Sequence, residues 1–333
     1  DVVFCCKDWI KFKLTGAICT DETDGSIPFM SMASRRYSEA QMALLGFADF
    51  RDRLPPVKPT SEVIGAVTPA AAEATGLRAG TPVVSGMLDA LIMDRPVFEP
   101  PDVGATVCHS VAGRWMRVLG SMAGTPNLDW YIGQVGAIFK AEAEAQGKDV
   151  FTLLEQAVRE TPVGSGGVIF HPYLQGERAP FLNPQARAGF FGISADTTRA
   201  HLARAVYEGV ALSVRDCFEH IGGGLRQVML AGGGANSRAW CQILADAVGY
   251  TMHVPAGTQF GALGAALAGA VGVGLFESYQ AAVEQCAKLD RTYLPNPDHA
   301  ARYDALDALY RDLVARMEPF WAARQRMLDG WQG

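Results

Sequence analysis

Between residues 227 and 273 short apolar runs alternate with longer, helix-patterned ones, and few folds accept that order. Gln227-Val228-Met229-Leu230-Ala231 reads as a strand, and Gly232-Gly233-Gly234 follows at once. Residues 237–248 then read as a helix with Asn236 or Ser237 as N-cap. Residues 250–254 read as a strand stopped by Pro255, and residues 260–273 as a helix rich in Gly and Ala. Strand, helix, strand, helix is the order of an α/β sheet with flanking helices. Upstream, residues 199–221 put Leu202, Ala205, Val206, Val210 and Val214 on one helical face. Residues 302–327 form a long terminal helix with Tyr303, Leu306, Tyr310 and Leu313 on one side.

The remainder is shorter-ranged. Residues 9–14 read as a helix closed by Gly16, residues 21–26 as a polar turn, and residues 68–75 as a helix with Pro69 in its first turn. Thr81-Pro82-Val83-Val84-Ser85-Gly86 is a strand entering a turn, with Asp89 just beyond. From 96 to 120 no period holds, which places a domain boundary near residue 100. The chain begins Asp1-Val2-Val3, without an initiator Met, and residues 9–14 read as a helix already under way, so the start looks like the middle of a domain.

Composition excludes several classes. With 333 residues, 49% of them hydrophobic and 19% charged, the chain can bury a core. Its 29 basic and 35 acidic residues give a net charge of -6, the wrong sign for a nucleic-acid partner. No apolar run reaches eighteen residues, so no membrane span is expected. Seven cysteines, Cys5 and Cys6 adjacent and the other five scattered, with no C-x-x-C pair, read as reduced thiols of a cytoplasmic protein, and six scattered histidines make no metal pair.

Three constellations can carry chemistry. The Gly232-Gly233-Gly234 turn lets a ligand lie against bare peptide, and the helix after it offers N–H groups and a partial positive charge; a plain strand–helix turn fits the spacing as well. It is neither G-x-G-x-x-G nor a Walker loop. The Gly261-Ala262-Leu263-Gly264-Ala265-Ala266 run fits tight helix-on-sheet packing, and also the wall of a nucleoside site. Asp89, past the end of a strand, stands where α/β folds bind ligands and where a general base would be exposed; helix capping is the plainer role. His171 reads as structural, Glu177-Arg178 as an ion pair pinning a loop, and Trp130 as core.

Against these residues stands a specific resemblance. Ala188-Gly189-Phe190-Phe191-Gly192-Ile193, His201-Leu202 and Ala205-Val206-Tyr207-Glu208 resemble the second signature of the FGGY carbohydrate kinases at every constrained position. Tyr173 to Pro180 is similar to the loop before it. Ala231 to Ala235 with Trp240, Gln242 and Asp246 resembles the family's adenosine-binding segment, and Gly261 to Ala266 its closing helix. Lys7-Asp8-Trp9 and Leu14-Thr15-Gly16 resemble the end of its first domain, and Ser85 to Asp89 its catalytic-aspartate turn.

The resemblance implies two actin-like (ribonuclease H-like) α/β domains with a cleft between them: 1–100, the remainder of an incomplete N-terminal domain, and 101–333, a C-terminal domain with the adenosine-binding segment. It implies phosphoryl transfer from MgATP to a hydroxyl of a small sugar or polyol, with closure of the domains excluding water. Asp89 would be the general base and touch the substrate. The Gly233-Gly234 backbone and the Ser237 side chain would hold adenine or ribose, with ATP and Mg²⁺ as cofactors and no protein metal ligand named. A pentulose such as xylulose or ribulose leads among substrates, with erythritol or glycerol second; a non-catalytic actin-like nucleotide binder is the competing class, and a homodimer is left open.

Two departures accompany it. The family's N-terminal half-sheet with its Asp-x-Gly loop is missing, and Cys108-His109-Ser110 stands where a Gly-Thr phosphate loop is expected. They predict interruptions of the chain near 95–98 and 107–108, with Cα–Cα separations well above ~3.8 Å.

Overall fold

The computed structural model describes residues 1–27, 29–85, 91–100, 103–109, 111–221, 225 and 227–331. They fall into two compact units, each built from segments distant in sequence. The first comprises residues 1–98, 105–118 and 259–288, the second residues 99–104, 119–258 and 289–333. A single cut near residue 100 therefore misses two later segments that pack with the N-terminal residues. Among the described residues no helix is long and apolar enough to cross a membrane.

In the first unit the helix Cys6–Thr15 ends where Gly16 takes a left-handed conformation and donates its N–H to the Phe12 carbonyl. The polar stretch read as a turn is a buried short helix, Glu22–Ser26, because the Asp21 carboxylate accepts from the N–H groups of Thr23 and Asp24. Thr20–Asp21 pairs in parallel with Val57–Lys58, and Val63–Ala66 pairs antiparallel with Pro82–Val84. Pro69 opens the helix Pro69–Thr75, which Thr68 caps. Leu91–Met93, Trp115–Val118 and Ala105–Cys108 form an antiparallel sheet with Trp115–Val118 in the middle. Ala105–Cys108 runs unbroken through Val107 and Cys108, which pair with Met116 and Trp115, so the expected interruption there is not found. At Gly272 the helix Phe260–Gly272 comes up against the Pro82–Val84 strand. A Cβ there would meet the Ser61 carbonyl oxygen and lie 2.7 Å from Val84 Cγ1.

The second unit holds the α/β alternation read from the sequence. Val228–Met229 pairs in parallel with Met252–Pro255, which pairs antiparallel with Leu289–Tyr293. Ile169–His171 pairs antiparallel with Gly189–Phe191. The helix Arg199–Glu219 is buried on every side from Ala203 to Ser213, not on one face alone. Around it pack Tyr131, Leu154, Val158, Phe170, Trp240 and Tyr303. Two helices that the sequence reading left out, Thr125–Gln134 and Ala137–Gln146, supply part of this core.

A helix buried all round needs partners for its polar residues. Glu208 Oε1 accepts from Arg204 Nε at 2.8 Å, Gly164 N at 3.1 Å and Tyr303 Oη at 3.2 Å, and Oε2 accepts from Ser165 Oγ at 2.6 Å. Arg204 also donates to the carbonyls of Val158 and Thr161, both at 2.9 Å. At the helix start Thr198 and His201 cap each other reciprocally.

The signature's glycines have steric reasons. Gly192 has φ +81°, and a Cβ on it would lie 2.5 Å from the Gly167 carbonyl oxygen; one on Gly209 would collide with the Phe170 carbonyl oxygen. Gly209→Ala is expected to cost roughly 1–3 kcal/mol in chemical denaturation. Gly261→Ala, whose Cβ meets nothing within 4 Å, should be neutral or stabilising by up to ~1 kcal/mol.

Candidate active site

The strand Val228–Met229 is prolonged by the Leu230 N–H, which donates to the His253 carbonyl at 2.8 Å. The chain then turns at Gly232, with φ +88°, into the short 3₁₀ turn Gly233–Asn236. Gly232 and Gly233 are exposed, and a Cβ on either would meet nothing within 4 Å. The far end of the turn is fastened by Arg291 Nη2, which donates to the Ala235 carbonyl at 2.9 Å. A fixed loop of bare, accessible peptide is the result.

The helix behind it, Arg238–Val248, is not an open anion site. Ser237 Oγ accepts from Trp240 N at 3.2 Å, and Glu155 Oε1 accepts from Ala239 N at 3.0 Å. The Glu155 carboxylate occupies the positive end of the helix dipole and disfavours a phosphate there. The exposed glycine turn thus suits a neutral polar group such as a nucleoside. The Tyr207 hydroxyl lies near Ser237, and burial, with the nearby Glu155, pushes its pKa up. A serine hydroxyl offers one donor and two acceptor sites, so beyond the bond it accepts from Trp240 N, Ser237 keeps capacity to bond a ligand.

Asp89, with Gly86, Met87 and Leu88, lies outside the described residues; the start of its turn does not. Ser85 is fully buried, and its carbonyl accepts from Lys11 Nζ at 2.6 Å. The same ammonium stands 2.7 Å from Asp8 Oδ1. Lys7 contacts Asp21 and lies 2.8 Å from Asp24. Three buried carboxylates and two lysines thus hold the strand end from which the Asp89 turn departs. Cys5, Asp8 and Asp24 bring one ligand atom each within 4.8 Å of the others. They do not fit a magnesium centre, because Asp8, Asp21 and Asp24 already carry lysine ammonium partners and a thiol is a poor ligand for that hard cation.

Gly261, Ala262, Ala265 and Ala266 are exposed. Tight packing, the reading that the small residues most favoured, is found in the later half of the helix, at the buried Leu267 and Ala268 and at Gly272; Gly261, Ala262, Ala265 and Ala266 present an open, small-residue face. Glu177 does not pair with Arg178. Its buried carboxylate accepts from Met122 N at 2.7 Å, Arg178 N at 2.8 Å and Ser121 Oγ at 3.0 Å, which pins the loop by backbone bonds. Asp246 accepts from Gln242, from the Asn296 N–H and from His299 Nδ1, and so anchors the approach to the terminal helix.

Sequence reasoning missed Glu155, Tyr207's approach to Ser237, and Arg291. Each reaches the glycine turn or its helix from 30 or more residues away, and no local pattern announces such a contact.

His171 is structural. It is fully buried among Tyr173, Phe191, Tyr310 and Trp321, and Nε2 faces the Tyr310 carbonyl at 3.4 Å. Burial lowers its pKa from 6.5 to about 4. The fold holds the neutral ring. Its contribution is complete above pH 6.5 and is lost as pH falls from 6.5 to about 4, a decline of roughly 3 kcal/mol. His171→Phe should flatten that part of a stability-against-pH profile measured by denaturant melts. Ser237→Ala should cost about 1 kcal/mol through the lost cap.

Models of the C-terminal and N-terminal domains of the FGGY family of carbohydrate kinases match residues 90–273 and 1–93. Erythritol kinase of Brucella abortus (strain 2308) is 29% identical over 360 residues, covering 95% of this chain and 67% of that protein. L-xylulose/3-keto-L-gulonate kinase of Escherichia coli (strain K12) is 28% identical over 352 residues, covering 95% and 66%. The crystal structure of xylulose kinase from Rhodospirillum rubrum superposes with a TM-score of 0.80 at 27% identity, covering 96% of this chain and 69% of that one. The chain thus spans about two thirds of the length of the proteins it matches.

Proposed function

Because the chain belongs to the FGGY family of carbohydrate kinases, with their actin-like α/β fold, we propose that it transfers the γ-phosphoryl group of ATP to a hydroxyl of a small sugar or polyol. The acceptor is a pentulose such as xylulose or ribulose. The Brucella relative, named an erythritol kinase, favours a polyol as the second reading.

Asp89 takes the proton of the attacking hydroxyl as its oxygen approaches the γ-phosphorus in line. The buried Asp8–Lys11–Ser85 chain supports this role by fixing the strand end that launches the Asp89 turn. The exposed peptide of Gly233 and the half-buried one of Gly234 lie against the adenosine, and the remaining hydrogen-bonding capacity of Ser237 serves the ribose or base. The single observation that carries the reading is that glycine turn, open above its backbone at Gly232 and Gly233 and backed by a helix end that Ser237 and the distant Glu155 already satisfy. Magnesium enters with ATP as part of the substrate and neutralises phosphate charge there.

ADP release measured over a panel of pentuloses, tetritols and glycerol tests the assignment, with one acceptor expected to stand well above the rest. Asp89→Asn should lower kcat by about 10²- to 10⁴-fold at unchanged stability; undiminished turnover would remove Asp89 from its role. Gly233→Ala should leave the denaturation midpoint in place and raise the KM for ATP. Sugar-independent ATP binding without ADP release would favour a nucleotide-binding protein without catalysis.

A further inference from the structure

Away from the glycine turn, the second unit contains a cavity of about 260 Å³. Trp130, Phe170 and Phe190 give it an aromatic wall. Phe170 and Phe190 lie 4.6 Å apart, and Trp130 stacks on Phe170 at 15°. Leu174 adds an apolar side, and Arg187 and Arg324 are the ionisable residues of the lining.

Neither guanidinium group has a carboxylate partner among the described residues. Arg187 Nη1 donates to the carbonyls of Pro184 at 2.8 Å and Ala186 at 2.7 Å, which fixes the group without neutralising it. Arg324, half-buried on the terminal helix Pro297–Trp331, has no ion-pair partner among the described residues. Elsewhere Arg35, Arg159, Arg199, Arg204, Arg215 and Arg311 are paired with acids. Two uncompensated guanidinium groups in one concave site, on a chain of net charge -6, call for an anion. Guanidinium binds phosphate and carboxylate through paired N–H donors. A phosphate monoester carries about -1.5 to -2 at pH 7 and balances both groups, whereas a carboxylate balances one. The volume lies below the roughly 300–1,000 Å³ of pockets for drug-sized ligands, so the body attached to the phosphate is small, and the aromatic wall suits one with an apolar face.

We propose that this cavity binds a small phosphate monoester. Its identification with the phosphorylated sugar that the chain itself makes, and so with product control of the enzyme, rests on the function proposed above; the anion site does not.

Isothermal titration calorimetry of the whole chain with ribose 5-phosphate, ribose and inorganic phosphate tests it. The phosphate ester should bind more tightly than either fragment. Arg324→Ala should weaken it by roughly tenfold or more, the loss of one charge-assisted hydrogen-bonded pair, at an unchanged denaturation midpoint, with Arg324→Lys restoring part of the affinity. Binding should persist in Asp89→Asn and in the presence of a saturating non-hydrolysable ATP analogue. Equal affinity in Arg324→Ala, no binding of the ester at millimolar concentration, or complete displacement by the ATP analogue overturns the proposal. If no sugar elicits ADP release and the ester still binds in an Arg324-dependent way, the kinase reading falls and the site stands.

Discussion

The second unit depends on one buried carboxylate. Glu208 sits in the middle of a helix covered on all sides and ties together Arg204, the Gly164–Ser165 turn that leads into the Ile169–His171 strand, and Tyr303 of the terminal helix. Without those bonds a charge would be stranded in the core at a cost of several kcal/mol. With them, the helix is fixed about its axis, and its neighbour Tyr207 meets Ser237 beneath the glycine turn. Gly209, next in sequence, lets the helix approach the Phe170 carbonyl. Three adjacent residues thus set the depth, rotation and outer contact of one helix.

The first unit uses the same device with more charges. Lys11 bridges Asp8 and the Ser85 carbonyl, and Lys7 satisfies Asp21 and Asp24. Paired charges in a low-dielectric interior gain geometric definition more than net stability. That suits the end of the strand that leads into the turn on which the proposed base, Asp89, stands. The second unit's cavity shows the opposite arrangement, two cations with no acid partner among the described residues, and the contrast gives it its meaning.

Much of the candidate site was legible. The strand–glycine–helix order around residues 227–248 could be read because glycine and the N-cap serine act through their own backbone neighbours. Gly16 and Pro69 marked helix ends for the same reason. Other features were illegible. Residues 21–26 look like a surface turn by polarity, yet they are buried, since Asp21 and Lys7 satisfy them from inside. Glu177 beside Arg178 suggested an ion pair, but the carboxylate turns to the backbone N–H of Met122, 55 residues earlier, and to that of Arg178 itself. The helix 260–272 packs with the N-terminal residues, and nothing in its own composition names that partner.

Local order, the helix and strand alternation, the glycine turn and the family signature belong to the sequence by itself, because propensity, capping and steric permission act over a few residues. Tertiary structure alone decided that Glu155 closes the helix end behind the turn, that the small residues of 261–266 stay uncovered, and that Arg187 and Arg324 share one cavity. Those outcomes depend on side chains brought together from distant segments, and the free energy of a buried charge is set by whatever neighbours the fold delivers to it.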